Sequence, residues 1–265
     1  MQKFMIISRP DPASTLMHEN LEEELCDNGY ELDKASPDII FVIGGDGTFI
    51  YAVHYALRKL EIDLNKTCFY GIHTGTLGFY SDFKDTEYRE YVNAFFNQRY
   101  TEVSYPLLQV SYRENQHNAI NEIRIENAAR TQKIEVSLNG RYFETFRGSG
   151  LCVCTQLGST AYNRSLGGAV IQEGLNFIEL TEIAGIHHCK AHSLDAPLVL
   201  KSDTVIEFRA DSFEGALLGC DSNVYPLDDV HSMSIAIRKT ASVRTLRGKD
   251  ISYFDRLKSL FDEHV

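Results

Sequence analysis

Asp38-Ile39-Ile40-Phe41-Val42-Ile43 runs straight into Gly44-Gly45-Asp46-Gly47-Thr48, and the amphipathic segment Phe49 to Arg58 follows. An apolar run, a glycine turn and a helical pattern make a strand–turn–helix unit. Three glycines let backbone N–H groups approach a ligand closely. The turn opens onto a helix N-terminus, whose unpaired donors and partial positive charge suit phosphate. Gly-Gly after a strand can also be a plain tight connection, but the strand before it and the helix after it favour the ligand reading. No Gly-Lys-Ser/Thr follows, so this is not a Walker loop, and the Gly-x-Gly-x-x-Gly dinucleotide pattern is absent too. Asp46 is out of place in a pure phosphate cradle, because a carboxylate repels phosphate. It fits an acid that acts on a hydroxyl, or on a metal that accompanies the phosphate. The combination points to phosphoryl transfer onto an alcohol.

The flanking sequence extends the same pattern. Phe4 to Ser8 reads as a strand, and Ser14 to Asn28 as a helix with Ser14 as its N-cap and Asn28-Gly29 as its stop. Cys68 to His73 reads as a further strand and opens a second glycine-rich turn, Gly71 to Phe79. Thr86 to Gln98 reads as a helix with Tyr88, Tyr91, Phe95 and Phe96 mostly on one face. Strands alternating with helices predict a parallel sheet covered on both sides. Ligands of such sheets sit at the C-terminal ends of adjacent strands, where both glycine turns fall. His73 reads as a packing residue.

After about residue 100 the pattern becomes β-rich and largely antiparallel. Strands are predicted at 102–113, 122–126, 133–138, 141–147, 151–155, 176–183, 197–200, 204–209, 216–220, 232–238 and 242–246. Asn139-Gly140 between two of them is a type I′ hairpin signal. The expected class is an α/β N-terminal domain, residues 1–100, plus an all-β, β-sandwich-like C-terminal domain, residues 101–250. A final helical segment, 251–265, packs back on the first domain.

Composition narrows the function. The net charge of −11 argues against a general nucleic-acid binder. A nucleotide site in so acidic a chain needs local cations, for which Arg124, Arg147, Arg164 and a divalent metal are candidates. No apolar run of about 18 residues appears, so no membrane span is expected. Six cysteines, scattered at 26, 68, 152, 154, 189 and 220, and no export signal read as a reduced, cytoplasmic chain.

Three features of the second half could carry chemistry. Asn121-Glu122 offers an amide that can read an adenine edge and a carboxylate that can bind ribose hydroxyls or a metal. Gly158-Ser159-Thr160-Ala161-Tyr162-Asn163-Arg164-Ser165-Leu166-Gly167-Gly168 combines small residues, hydroxyls, an aromatic face and a cation, which suits a dinucleotide. His187, His188, His192 and Cys189 imitate a metal cluster, but no His-Glu-x-x-His pattern accompanies them and the neighbouring sequence reads as a solvated loop. Cys152 and Cys154 read as core residues.

Together, Gly44 to Thr48, Gly71 to Phe79, Asn121-Glu122 and Gly158 to Gly168 resemble the NAD kinase family, in its order and with similar intervals. The likeness runs from about residue 1 to 250 and is closest to the short bacterial form. The first motif is shared with diacylglycerol, sphingosine and phosphofructo-kinases; the 158–168 run separates NAD kinases from the lipid kinases. The resemblance implies a site in the crevice between two domains. It implies transfer of the γ-phosphoryl of ATP, or of polyphosphate, to the 2′-hydroxyl of the adenosine ribose of NAD. It further implies a divalent metal such as Mg²⁺ and a homo-oligomer, commonly a tetramer. By position, Asp46 matches the catalytic acid, and Gly47 a backbone contact to NAD. The resemblance also places Phe79 in the adenine pocket, and Asn121 and Glu122 match the nucleoside-reading pair. Thr160, Ala161, Tyr162, Asn163, Arg164 and Ser165 match the dinucleotide-binding run, and Arg147 and Ala184 match further NAD contacts. The chain departs from the family at Ser149, often an acid and a contact to the nicotinamide end. It departs again at Gln156 and Leu157, often proline and a hydroxyl residue, and at Ala191, which can be aromatic. A lipid kinase and a non-catalytic nucleotide sensor are the competing readings. The 158–168 run weighs against the first and Asp46 against the second.

Overall fold

The computed structural model describes residues 2–60, 62–75, 78–187 and 193–261. The chain divides into two compact units, residues 1–105 with 241–265, and residues 106–240.

The first unit begins with β1 (Lys3–Ser8), α1 (Pro12–Asp27), β2 (Glu31–Leu32), β3 (Ile39–Ile43), α2 (Asp46–Arg58), β4 (Cys68–His73), β5 (Phe83–Lys84) and α3 (Tyr88–Phe96). β1, β3 and β4 are parallel neighbours, with Phe4 opposite Ile39 and Ile39 opposite Cys68. Every residue of β3 is buried, as in a strand covered on both faces. Phe4, Phe41, Tyr70, Tyr91 and Phe95 lie in the core. Tyr70 and Tyr91 stack with ring centroids 4.4 Å apart, and each hydroxyl donates to the other residue's carbonyl, at 3.2 and 3.1 Å. Two large aromatics are thereby buried without orphaning their polar ends.

Helix starts differ from the sequence expectation. α1 is capped by Asp11, whose carboxylate accepts the Ser14 N–H at 3.1 Å, and not by Ser14 itself. Pro12 supplies the reason, because its fixed φ and missing N–H suit the first helical position. α2 starts at Asp46, earlier than the amphipathic pattern indicates, because the two glycines at 44 and 45 complete the turn. The expected helix over 86–98 is a 3-10 turn, Asp85–Glu87, followed by α3.

The second unit is an antiparallel β structure. The chain enters it within β6 (Thr101–Tyr112) and continues through β7 (Asn115–Ala119), β8 (Glu122–Glu126), β9 (Gln132–Leu138) and β10 (Arg141–Thr155). The short helix α4 (Tyr162–Ser165) follows, then β11 (Phe177–Gly185), β12 (Leu198–Lys201), β13 (Ile206–Arg209), β14 (Leu217–Cys220), β15 (Asn223–Pro226) and β16 (Ser232–Arg247). The strand order is β15-β14-β8-β10-β9-β13-β16, with β11 also on β10 and β12 on β11. Asn139 and Gly140 both take positive φ, 51° and 74°, as a type I′ turn requires. Ile123, Ile125, Ile134, Phe146, Val153 and Phe208 are among the fully enclosed residues of this unit's core.

Two pairs of expected strands are single long strands. β10 runs unbroken through Arg147-Gly148-Ser149-Gly150, because these glycines permit close approach of neighbouring backbone. A Cβ on Gly150 would strike the Ile125 carbonyl. β16 likewise runs through Lys239 to Ala241. Its last part belongs to the first unit, where Arg244 and Thr245 pair in parallel with Cys68 and Phe69 of β4. α5 (Tyr253–Lys258) closes the described chain, with Ser252 as its N-cap.

Candidate active site

In the first unit the glycine turn delivers Asp46 to the first residue of α2, with Gly45 as N-cap. A carboxylate there faces the positive end of the helix dipole. The second glycine turn supplies its partners. The Phe79 N–H donates to both Asp46 oxygens, at 3.1 and 3.0 Å, and the Tyr80 N–H donates at 3.3 Å. The approach is close enough that a Cβ on Gly78 would overlap the Asp46 carboxylate. Asp46, Gly47 and Phe79 are therefore gathered by two turns on adjacent parallel strands. His73 is buried at the end of β4, and its Nδ1 has no hydrogen-bond partner among the described residues. Burial pulls its pKa below the ordinary value, with the nearby Asp46 charge opposing that shift. Thr76 and Leu77 of the second turn lie outside the described residues.

In the second unit, Asn121 and Glu122 lie where the chain enters β8. Asp221, which sequence reasoning missed, shapes this entry. Its carboxylate accepts the backbone N–H groups of Ile120, Asn121 and Glu122 at 2.9, 2.8 and 3.1 Å. Glu122 is only 6% exposed, and its Oε2 has no hydrogen-bond partner among the described residues. Burial, and then the neighbouring Asp221 charge, push its pKa up to about 7, against the pull of Arg124. A carboxyl in that state can both donate and accept a hydrogen bond near neutral pH. Arg124 bridges Glu122 at 3.2 Å and Glu126 at 2.8 Å, and its guanidinium lies 5.0 Å from the Tyr162 ring centroid. Tyr162 donates to Glu126 at 2.5 Å.

The 158–168 run folds against the same strand entry. A Cβ on Gly158 would strike the Asn121 carbonyl, and the Gly158 N–H is held by Thr155 Oγ1 at 3.2 Å. Thr160 is buried and donates to the Leu157 carbonyl at 3.0 Å. Asn163 is fully buried; its amide donates to Glu179 at 2.9 Å and accepts from Thr181 at 2.7 Å. Ala161 and Tyr162 are half-buried, while Arg164 and Ser165 are exposed. Arg147 is exposed and Ser149 half-buried on β10. Ala184 on β11 takes a left-handed φ of 47°, a conformation that costs a non-glycine residue roughly 1 kcal/mol or more. Its carbonyl occupies the space a Cβ on Gly148 would need.

Of the residues imitating a metal cluster, His188, Cys189 and His192 lie outside the described residues, as does Ala191. His187 pairs with Glu182 at 3.3 Å and with Asp195 at 3.0 Å. Both carboxylates lie outside the His/Cys spacing that suggested the cluster. Asp221 could have been suspected only from its place in the turn-forming Asp221-Ser222-Asn223, and nothing in that triplet names its partner.

Comparison with known proteins identifies the family. Residues 120–244 match the ATP-NAD kinase C-terminal domain. The chain is 36% identical to "NAD kinase 1" of Bacillus cereus, covering 98% of both chains. It is 41% identical to "NAD kinase 1" of Bacillus subtilis over 76% of both. Identity to "NAD kinase" of Latilactobacillus sakei is 33%, over 98% of this chain and 97% of that one. Among solved structures, yeast NADH kinase complexed with NADH superposes with a TM-score of 0.79 at 17% identity, covering 100% of this chain and 89% of the other. An NAD kinase from Archaeoglobus fulgidus in complex with ATP gives 0.75 at 22% identity, covering 98% and 99%. Similarity sustained over nearly the whole length makes this chain a member of the NAD kinase family.

Proposed function

We propose that this chain phosphorylates NAD to NADP, with ATP as donor and Asp46 as the acid that meets the acceptor hydroxyl. The observation that carries the reading is the seating of Asp46, at a helix start and gripped by the Phe79 and Tyr80 N–H groups. The 2′-hydroxyl of the adenosine ribose passes its proton to the Asp46 carboxylate. Its oxygen bonds to the γ-phosphorus while the bond from that phosphorus to the β–γ bridging oxygen breaks, releasing ADP. General-base help contributes on the order of 10²–10⁴-fold, and orientation of the reacting atoms contributes at least as much.

The remaining roles are those the family resemblance implies. Asn121 and Glu122 read the nucleoside, the protonatable Glu122 serving ribose hydroxyls as donor or acceptor. Gly47 offers backbone N–H to the nucleotide, Phe79 an apolar wall, and Tyr162 an aromatic face. Thr160, Ala161, Arg164 and Ser165 flank the dinucleotide, and Arg147, Ser149 and Ala184 are further contacts. Asn163 supports the run from within, through Glu179 and Thr181. The divalent metal, Mg²⁺ by preference, suits Asp46, a hard oxygen donor with lone pairs beyond its N–H bonds; when bound it neutralises charge on the transferring phosphoryl group. Polyphosphate is a second donor of the same chemistry. The assembly is a homotetramer acting in the cytoplasm; no helix among the described residues is long and apolar enough to cross a membrane.

A coupled assay for NADP with ATP, NAD and Mg²⁺, each omitted in turn, tests the activity. Asp46→Asn, which keeps shape but loses the basic oxygen, is expected to cut turnover by on the order of 10²–10⁴-fold while the circular dichroism spectrum persists. Unchanged turnover in that variant removes the assigned role of Asp46.

A further inference from the structure

Two peptide groups hold the Asp46 carboxylate, the Gly78–Phe79 peptide through the Phe79 N–H and the Phe79–Tyr80 peptide through the Tyr80 N–H. A trans peptide points its C=O away from its N–H. At the far end of each of these two peptides sits an arginine. Arg256 Nη1, from α5, donates to the Gly78 carbonyl at 3.1 Å, and Arg247 Nη2, from the end of β16, donates to the Phe79 carbonyl at 3.0 Å. Asp82 ties the two guanidiniums together. It accepts from Arg256 Nη2 and lies 3.3 Å from Arg247 Nη1. Arg256 also donates to the Ser81 carbonyl at 2.8 Å. All three side chains are buried, at 2% exposure for Arg256, 3% for Asp82 and 8% for Arg247.

Stability alone is a poor reason for this cluster. Buried ion pairs recover their desolvation cost only with good geometry, and apolar side chains of similar volume often do as well. The cluster does something that an apolar plug cannot, because it grips the carbonyls of the same two peptides whose N–H groups meet Asp46. Hydrogen bonds in a chain polarise one another, so a guanidinium on the C=O strengthens the N–H at the other end. It also fixes the peptide plane, and with it the direction of the donor.

We infer that Arg256 and Arg247 are positioning residues for phosphoryl transfer, acting on Asp46 through the Gly78–Phe79 and Phe79–Tyr80 peptides. Neither needs to touch a substrate. The inference rests on the assignment of Asp46 as the acid that meets the hydroxyl.

The test is a double-mutant cycle in the full-length enzyme, with Arg256→Lys and Arg247→Lys made alone and in the Asp46→Asn background. Lysine keeps the buried charge but loses the planar fork that serves a carbonyl and Asp82 at once. In the otherwise wild-type enzyme each lysine variant is expected to lower kcat about tenfold, with KM for NAD and for ATP within about twofold, because only the aim of Asp46 changes. In the Asp46→Asn background, where single-turnover measurement at high enzyme concentration reads the residual rate, the same change should cost less than about twofold. Equal fold-losses in both backgrounds overturn the inference, since a purely structural role would be additive. So does a wild-type kcat in both lysine variants. If Arg256→Lys fails to fold, Arg247→Lys decides, because it serves the other peptide. Full turnover in Asp46→Asn overturns the assignment of Asp46 first; a crippled Asp46→Asn with additive lysine losses overturns the arginine inference alone.

Discussion

Asp46 in the α/β unit and Glu122 in the β unit are both acids at the junction of a turn and a regular element, and they are held by opposite means. Asp46 is set by main-chain donors, the N–H groups of Phe79 and Tyr80, within a turn kept free of side chain at Gly78. Glu122 is set by side-chain charge, with Asp221 and Arg124 beside it and little solvent. The first arrangement fixes where a carboxylate points. The second fixes how readily it holds a proton. The base proposed at Asp46 needs the first; the hydroxyl reading proposed for Glu122 gains from the second.

The largest test of this contrast titrates Glu122. Its pKa is about 7 in the folded protein against an ordinary value of 4.5, so the folded state holds the proton more tightly. Stability from this group is therefore full below pH 4.5 and is lost as pH rises toward 7. Over that interval the wild type should lose roughly 3 kcal/mol relative to Glu122→Gln, measured by denaturant melts at a series of pH values. Parallel pH profiles for the two proteins would break the comparison on the Glu122 side.

Next in size is Gly78→Ala. The added methyl falls on the Asp46 carboxylate, so the acid or the turn has to shift. Because a displacement of about 1 Å can cost 10²-fold, kcat in the NADP assay should fall by about that factor, while the pH dependence of stability attributed to Glu122 stays unchanged. A wild-type kcat would show that Asp46 tolerates a freedom its main-chain grip denies. The smallest effect belongs to Tyr162→Phe, which removes one hydrogen bond to the half-exposed Glu126. The expected loss is about 1 kcal/mol by thermal melt, with a modest rise in KM for NAD and little change in kcat. A fall in kcat as large as that of Gly78→Ala would blur the division between aiming and reading.

Much of both regions was legible in the sequence, for local reasons. Ile39 to Ile43 is apolar throughout because a central parallel strand is covered twice, and Gly44-Gly45 marks the turn because the chain reverses there. Asn139-Gly140 announces its hairpin by the φ values it accepts. Each of the two long strands resembles a pair in sequence, because Gly148, Gly150 and the polar residues near 240 imitate breaks. Propensity cannot tell a loop glycine from one that lets a neighbouring backbone approach. The cap of α1 lies three residues before the Ser14 expected from sequence because Ser14 and Asp11 are both good caps, and Pro12 decides between them.

What the sequence determined by itself is the succession of elements, the glycine turns and the acid embedded in the first of them, since each depends on residues a few positions apart. Tertiary structure alone decided that Phe79 and Tyr80 would grip Asp46, that Asp221 would shape the entry at Asn121 and Glu122, and that Arg247 and Arg256 would meet over Asp82. These partners lie some thirty to more than 170 positions apart along the chain. Their pairing follows from burial. A charged group removed from water is stable only beside a partner, and which partner is available depends on how the strands are laid side by side.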